Sequence, residues 1–409
     1  MTARSPGRNA YVFVLVTVAI DMIGFGLIMP VVPRLISELT NLGLEDAAPW
    51  GGYLSTVYAV LNFLAGPTIG NLSDRFGRRP VLLVAMASLG ANFLLMGLAR
   101  SIAVLFIGRI LSGIAGATLS TASAYIADVT EKERRAQAFG MIGAAFGVGF
   151  ILGPVLGGLL AGISTRAPFF AAAALSLVNV LYGAIVLPES LPADRRRPFD
   201  LSRANPLGAF RQFSKLPHVS LLIVTLGIFQ FAQMLFPVIW AFYAGIKFGW
   251  SSRAIGISLG LVGLSAAVVQ GGLIGPVLRR LGPVKTAVFA MVGGAVTLVL
   301  YGLANQGWMV YVLIPFGAVM GLAPPAVNSI ASSRIDPSAQ GELQGAVASI
   351  NALATVLSPL VMTQTLSYFS RSGAPIHFPG APFIVAAAAL LVATLPFLAG
   401  VRRAGPRVE

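Results

Sequence analysis

The sequence predicts an all-α membrane protein: twelve transmembrane helices in two pseudo-symmetric six-helix bundles. Three observations predict it. The composition is too apolar for water, apolar runs of helical length recur along the chain, and the two halves match at a fixed offset. The 409 residues are 56% hydrophobic and 10% charged, with a mean hydropathy of +0.83. A soluble domain carries roughly 25% charged residues, so this chain has too little polar surface to cover itself. Transmembrane β-strands would show short alternating segments; the runs here are longer and apolar on all sides. There is no Cys, which excludes disulfides and thiolate metal sites. His218 and His377 are far apart in flanking segments, which argues against a His-based metal site.

Polar, Gly/Pro and charged punctuation cuts the chain into twelve spans, near 10–37, 49–71, 80–99, 102–127, 135–162, 168–187, 217–245, 253–278, 284–304, 308–331, 342–369 and 380–401. Each reaches or approaches the roughly 20 residues that cross about 30 Å of hydrocarbon. The start, "MTARSPGRNAYVFVLV", has the basic lead of a signal peptide, but its apolar run is too long and no small-residue cleavage site follows. It reads as an uncleaved first helix.

Positive charge orients the spans. With the amino terminus in the cytoplasm, 21 of the 28 basic residues fall on cytoplasmic segments. They cluster at Arg75, Arg78 and Arg79, at Lys132, Arg134 and Arg135, at Arg195 to Arg197, and at Arg279, Arg280 and Lys285. Six fall on the other side, and Arg109 lies inside a span. This bias places both termini in the cytoplasm. It also accounts for the net charge of +14 without a nucleic-acid partner.

The repeat has an offset of 205: Gly77 falls on Gly282, Gly116 on Gly321 and Pro154 on Pro359. "DRFGRRPVLL" faces "RRLGPVKTAV", each a basic loop between two helices. The expected organisation is a bundle over 1–187, a cytoplasmic linker over 188–216 and a second bundle over 217–409. Within the linker, "NPLGAFRQF" reads equally as a short amphipathic helix on the membrane face or as a solvated loop.

Three stretches carry functional signals. The loop after span 2, "GNLSDRFGRRPVLL", has glycines at Gly70 and Gly77 for a tight turn and close helix approach. Asp74 can meet a helix end or an Arg, while Arg75, Arg78 and Arg79 offer forked donors. Such a loop can act as a latch or simply set topology. Span 4 carries Arg109 well inside the bilayer, where it needs a partner or water. Span 5, "GMIGAAFGVGFILGPVLGG", places Gly140, Gly149, Gly153, Pro154, Gly157 and Gly158 in one G-x8-G-x3-G-P-x2-G-G pattern. Small residues let helices touch, and Pro154 interrupts the hydrogen-bond ladder.

These stretches resemble the signatures of the major facilitator transporters, whose plan is two six-helix repeats around a cavity. The resemblance implies that the loop latches one side shut, with Arg78 pairing with Asp128 at the end of span 4. It assigns Arg109 to proton coupling, with interhelical carbonyl bonding as the competitor. It also assigns the span-5 pattern to antiporters that export. "GLIMPVVP" after Asp21, together with "GRILSGIAGAT", "APFFAAAAL", "LPES", "IGISL" and "GELQG", is similar to the tetracycline:proton antiporters over about residues 12–370. This implies a bacterial inner-membrane drug exporter with no cofactor beyond the proton gradient, although a divalent cation can accompany the drug. The expected partners are a small-molecule substrate and the lipid bilayer, with the protein a monomer. The family's three intramembrane acids fall on Asp21, Asn92 and Gly294, and a helix-8 His of some members on Ala266, so one acid remains.

Buried amides mark candidate substrate contacts: Asn62, Asn92, Gln230, Gln233, Gln270 and Asn351. Each could equally bond a neighbouring helix. Phe63, Phe231, Phe236, Trp240 and Phe316 are candidates for an aromatic lining or for plain packing. Asp21 is the clear acid within a span, about eleven residues in, or roughly 16 Å along the helix. Placing it there costs about 2.5–3.5 kcal/mol. A proton carrier explains that expense; an Asp bonded to a neighbouring helix, or paired statically with Arg109, is the competing account. No nucleophile–base pair or metal cluster marks an enzyme. The rival cargoes are another drug class or an endogenous metabolite.

Overall fold

The computed structural model describes residues 8–116, 118–130, 135–200 and 216–403. The expected helix at "NPLGAFRQF" lies outside them. Helices are α1 Arg8–Ile28, α2 Val32–Thr40, α3 Leu44–Phe76, α4 Arg78–Leu98, α5 Ile102–Ala115, α6 Thr118–Val129, α7 Arg135–Leu160 and α8 Ala167–Val186. They continue as α9 Ser220–Gln233, α10 Leu235–Phe248, α11 Ser252–Val268, α12 Ile274–Leu303, α13 Gly307–Gly317, α14 Ala323–Ser332, α15 Gln340–Ser370 and α16 Ala381–Arg403. Among the described residues there is no strand.

Helical segments cover all twelve predicted spans. Several spans are broken helices, and the breaks have local causes. α1 and α2 meet at a 46° bend beside Pro30 and Pro33, which cannot supply the N–H that would continue the ladder. α5 and α6 part at Gly116, and α13 and α14 part at a tighter turn over Ala318–Leu322. α11 runs through a π-helical turn, Val269–Leu273, into α12. By length and apolarity alone, eight described helices can cross a membrane, or nine with the α1–α2 pair. That number is below twelve for physical reasons. α11 to α12 is one continuous run that reverses at Gly282, α5 is short, and Tyr53, Tyr58 and Asn62 dilute the apolar run of α3.

The repeat is visible in the backbone. Gly77 and Gly282 both take positive φ, +105° and +72°, and each turns the chain from one helix into the next. A side chain is strained there, so glycine is required. Gly116 and Gly321 both sit at breaks in their spans. Pro154 and Pro359 both lie inside helices, α7 and α15.

Packing divides the chain into two compact units. The first is Met1–Asn41, Val57–Pro206 and Ser251–Gly263; the second is Leu42–Thr56, Leu207–Trp250 and Leu264–Glu409. The predicted bundles 1–187 and 217–409 differ from these units in two segments, Leu42–Thr56 and Ser251–Gly263. Glycines explain both assignments. A methyl on Gly52 would lie 2.9 Å from the Pro359 carbonyl of α15. Methyls on Gly260 and Gly263 would strike Val155 and Ile151 of α7 at 2.5 and 2.8 Å.

In the first unit α1 lies along α7 and α8. Its core includes Val18, Leu82, Met86, Tyr125, Ile126 and Leu187. In the second unit, buried aromatics fill the space between α10, α12 and α16. Tyr243 and Phe383 have ring centroids 4.5 Å apart, and Trp240 sits edge-on to Tyr301 at 5.5 Å. Trp240 and Phe236 belong to this packing, whereas Phe316 is exposed on the helix surface.

Candidate functional site

Asp21 lies within α1, Arg8–Ile28, and is 4% exposed. Its Oδ1 accepts a hydrogen bond from Asn179 Nδ2 of α8 at 3.3 Å. The same amide nitrogen donates to the Thr17 carbonyl at 3.3 Å, and Thr17 Oγ1 donates to Asn179 Oδ1 at 3.2 Å. Among the described residues Asp21 makes no ion pair, so the static pairing with Arg109 does not occur. Sequence reasoning missed Asn179. It is the only amide of "FFAAAALSLVNVLYGAIV", and the criterion that singled out Asn62 would have found it.

Arg109 on α5 stands apart from that cluster. Its guanidinium carbon lies 5.9 Å from the centroid of the Tyr58 ring of α3, within reach of a cation–π attraction. Its Nε is buried with no hydrogen-bond partner. Tyr58 was also missed. Asn62, one turn further along α3, shares the Gly116 position with it: a methyl there would be 2.5 Å from Asn62 Nδ2 and 3.2 Å from the Tyr58 hydroxyl. The structure thus brings Tyr58, Asn62 and Arg109 together.

The other amides divide. Asn92 is 1% exposed and faces α5, where a methyl on Gly108 would lie 2.6 Å from Asn92 Oδ1. The helix contact that Gly108 permits encloses Asn92, whose side-chain oxygen has no hydrogen-bond partner. Gln233 and Asn351 are partly buried, and each has a side-chain oxygen with no partner. Gln230 is partly buried, and Gln270 is exposed within the π-helical turn.

At the α3–α4 turn the predicted charges assemble. Arg78 Nη1 meets Asp74 Oδ1 at 2.7 Å, and Arg78 Nε meets Asp128 Oδ2 at 3.3 Å. Arg79 Nη2 donates to the Ala184 carbonyl at 2.6 Å. Glu189, from "LPES", accepts from the backbone N–H groups of Arg78 and Arg79 at 2.8 and 3.3 Å. The carboxylate therefore sits on the positive end of α4. Downstream residues join it. Arg197 N–H donates to the Asp74 carbonyl at 3.1 Å, and Asn71 Nδ2 donates to the Asp200 carbonyl at 2.6 Å. Two predicted members differ. Arg75 is exposed and lies against Phe76, 5.1 Å from the ring centroid. Gly70 makes neither a turn nor a close approach, because α3 continues to Phe76 and a methyl on Gly70 would meet open space.

The glycines of α7 form two contact faces. Methyls on Gly149 and Gly153 would lie 2.5 Å from Met22 Cβ and 2.7 Å from Gly26 Cα, and one on Gly157 would strike the Leu27 carbonyl. These positions, four residues apart, let α1 and α7 touch backbone to backbone. On the other face a methyl on Gly158 would meet the Ser252 carbonyl at 2.7 Å, and one on Gly256 would strike the Pro154 carbonyl. Gly140 takes no part: it is exposed, with open space around it.

The family model of the Major Facilitator Superfamily matches residues 14–359 of this chain. The chain belongs to that superfamily. It is 37% identical over 385 residues to the class C tetracycline resistance protein of Escherichia coli, an alignment covering 94% of this chain and 95% of the relative. It is 36% identical over 360 residues to the class G tetracycline resistance protein of Vibrio anguillarum, covering 88% and 91%. In fold it matches the human organic anion transporter MFSD10 (TETRAN) with a TM-score of 0.70, at 22% identity, covering 95% of this chain and 99% of that one. Membership of this superfamily makes the protein a multi-pass membrane transporter. Within it, Gly294 of α12 is closed by packing, since a methyl there would strike Met320 and lie 3.2 Å from Leu390.

Proposed function

We propose that this transporter is a proton-coupled antiporter that exports a tetracycline-like drug across the bacterial inner membrane, with both termini in the cytoplasm. The near full-length identity to tetracycline resistance proteins carries the reading. Asp21 supports the coupling. It is a carboxyl buried within a span, hydrogen-bonded and without an ion partner, and burial of that kind is retained at proton-relay positions. In this mechanism Asp21 takes a proton from outside and releases it inside as the drug leaves. Arg109, beside Tyr58 and Asn62, brings to the transport path a cation whose Nε has no hydrogen-bond partner. The cluster of Arg78, Asp74 and Asp128 serves as the latch, with Glu189 holding the start of α4. No cofactor is required; a divalent cation can travel with the drug.

Expression in a strain lacking its own drug pumps tests this reading. Wild-type protein is expected to raise resistance to tetracyclines, and Asp21→Asn to abolish it. Unchanged resistance in Asp21→Asn sinks the coupling role. Reporter fusions at each terminus test the orientation.

A specific observation keeps a second cargo in view. Two positions where tetracycline exporters carry acids are packed shut here: Asn92 lies against Gly108 and Gly294 against Met320. Protection against other drugs with none against tetracyclines would favour a different substrate on the same machine.

A further inference from the structure

We infer that Asn179 is the positioning residue for the coupling carboxyl, so that α8 is part of the proton site; this rests on the assignment of coupling to Asp21. Asn179 is fully buried and Thr17 is 2% exposed, so neither meets water. Leu177 and Val178, the two residues before it, are exposed on the helix surface, while the amide itself bonds Thr17 and Asp21 of α1. Thr17 lies one turn before Asp21, on the same side of α1.

The hydrogen bonds fix the orientation of the amide. Thr17 Oγ1 donates to Asn179 Oδ1 at 3.2 Å, so the amide nitrogen faces Asp21 and the Thr17 carbonyl. Both amide hydrogens then have acceptors, and Asn179 is satisfied only while Asp21 is in place. Asp21 Oδ1 is occupied by an N–H, so the exchangeable proton is carried on Oδ2. A carboxylate and a neutral carboxyl can both accept that N–H at Oδ1. The amide therefore holds the group in one orientation through the cycle while the proton comes and goes. Among the described residues no charged side chain pairs with Asp21, which leaves this amide as its polar anchor.

The test uses full-length protein in everted vesicles, with radiolabelled tetracycline as the probe. It compares proton-gradient-driven accumulation with gradient-free tetracycline counterflow. Asn179→Leu is expected to lower driven accumulation about tenfold, the scale of one hydrogen bond to a charged group, with counterflow retained. A merely structural role would lower both together, and that result overturns the proposal, as does undiminished driven accumulation. The exchange variant Asp21→Asn/Asn179→Asp keeps one carboxyl and one amide in the same place on opposite helices. It is expected to recover driven accumulation that Asp21→Asn alone has lost; no recovery overturns the proposal even if Asn179→Leu is poorly folded. Full activity of Asp21→Asn itself would instead remove the coupling assignment, and the two failures are thereby told apart.

Discussion

Glu189 closes the amino-terminal end of α4 from 110 residues away, its two carboxylate oxygens accepting the backbone N–H groups of Arg78 and Arg79 at 2.8 and 3.3 Å. A helix start exposes N–H groups with no partner in the helix. The residue before α4 is Gly77, which has no side chain to satisfy them. Glu189 does so in its place and also faces Arg196 at 3.8 Å.

Removing that carboxylate has a local cost. Glu189→Ala is expected to destabilise the protein by about 1 kcal/mol, the usual value of a helix cap. Glu189→Gln keeps one acceptor and is expected to lose less. Thermal unfolding of purified protein followed by size-exclusion chromatography measures the order; equal melting temperatures for all three proteins would show that water replaces the cap.

Arg78 reaches two carboxylates at once, Asp74 and Asp128. A lysine presents a single charged point in place of the fork. Arg78→Lys is therefore expected to transport no better than Arg78→Ala, at about a tenth of the wild-type rate or below. Vesicle transport assays at matched expression check this, and a fully active lysine variant would reduce the cluster to a charge that sets topology.

The contact of α1 with α7 depends on missing side chains. Gly153→Val is expected to cost about 1–3 kcal/mol through overpacking, and to lower the amount of folded protein. Gly140→Ala, in the same sequence pattern but in open space, is expected to be neutral. Detergent-solubilised yield and melting temperature separate the two; equal effects would mean the α1–α7 contact is looser than the backbone distances indicate.

Reinstating an acid on α12 meets packing. Gly294→Asp places a side chain against Met320 and Leu390, and is expected to reduce folded yield without strengthening transport. Met320→Ala in the same protein opens space and is expected to restore part of the yield. Enhanced tetracycline transport by Gly294→Asp alone would show that the position opens to the transport path.

The sequence by itself determined the class, the spans and the repeat, because each is written in short-range terms. Hydropathy over some twenty residues defines a span, and a glycine or proline at a fixed offset marks a break whatever surrounds it. Gly77 and Gly282, with their matching positive φ, were legible in this way. So was the charged turn, since Asp74 and Arg78 are one helical turn apart, and its partner Asp128 followed from the family pattern. Partners across the fold were decided only by tertiary structure. Thr17 and Asn179 are 162 residues apart, and Asn71 and Asp200 are 129 apart; nothing in either neighbourhood names the other. Asn62 and Asn92 look alike as lone amides in apolar helices, yet Gly108 lets α5 close over Asn92. Whether a buried polar group bonds a neighbouring helix or faces a transport path depends on how closely two backbones approach, and that distance is set by residues far away in the chain.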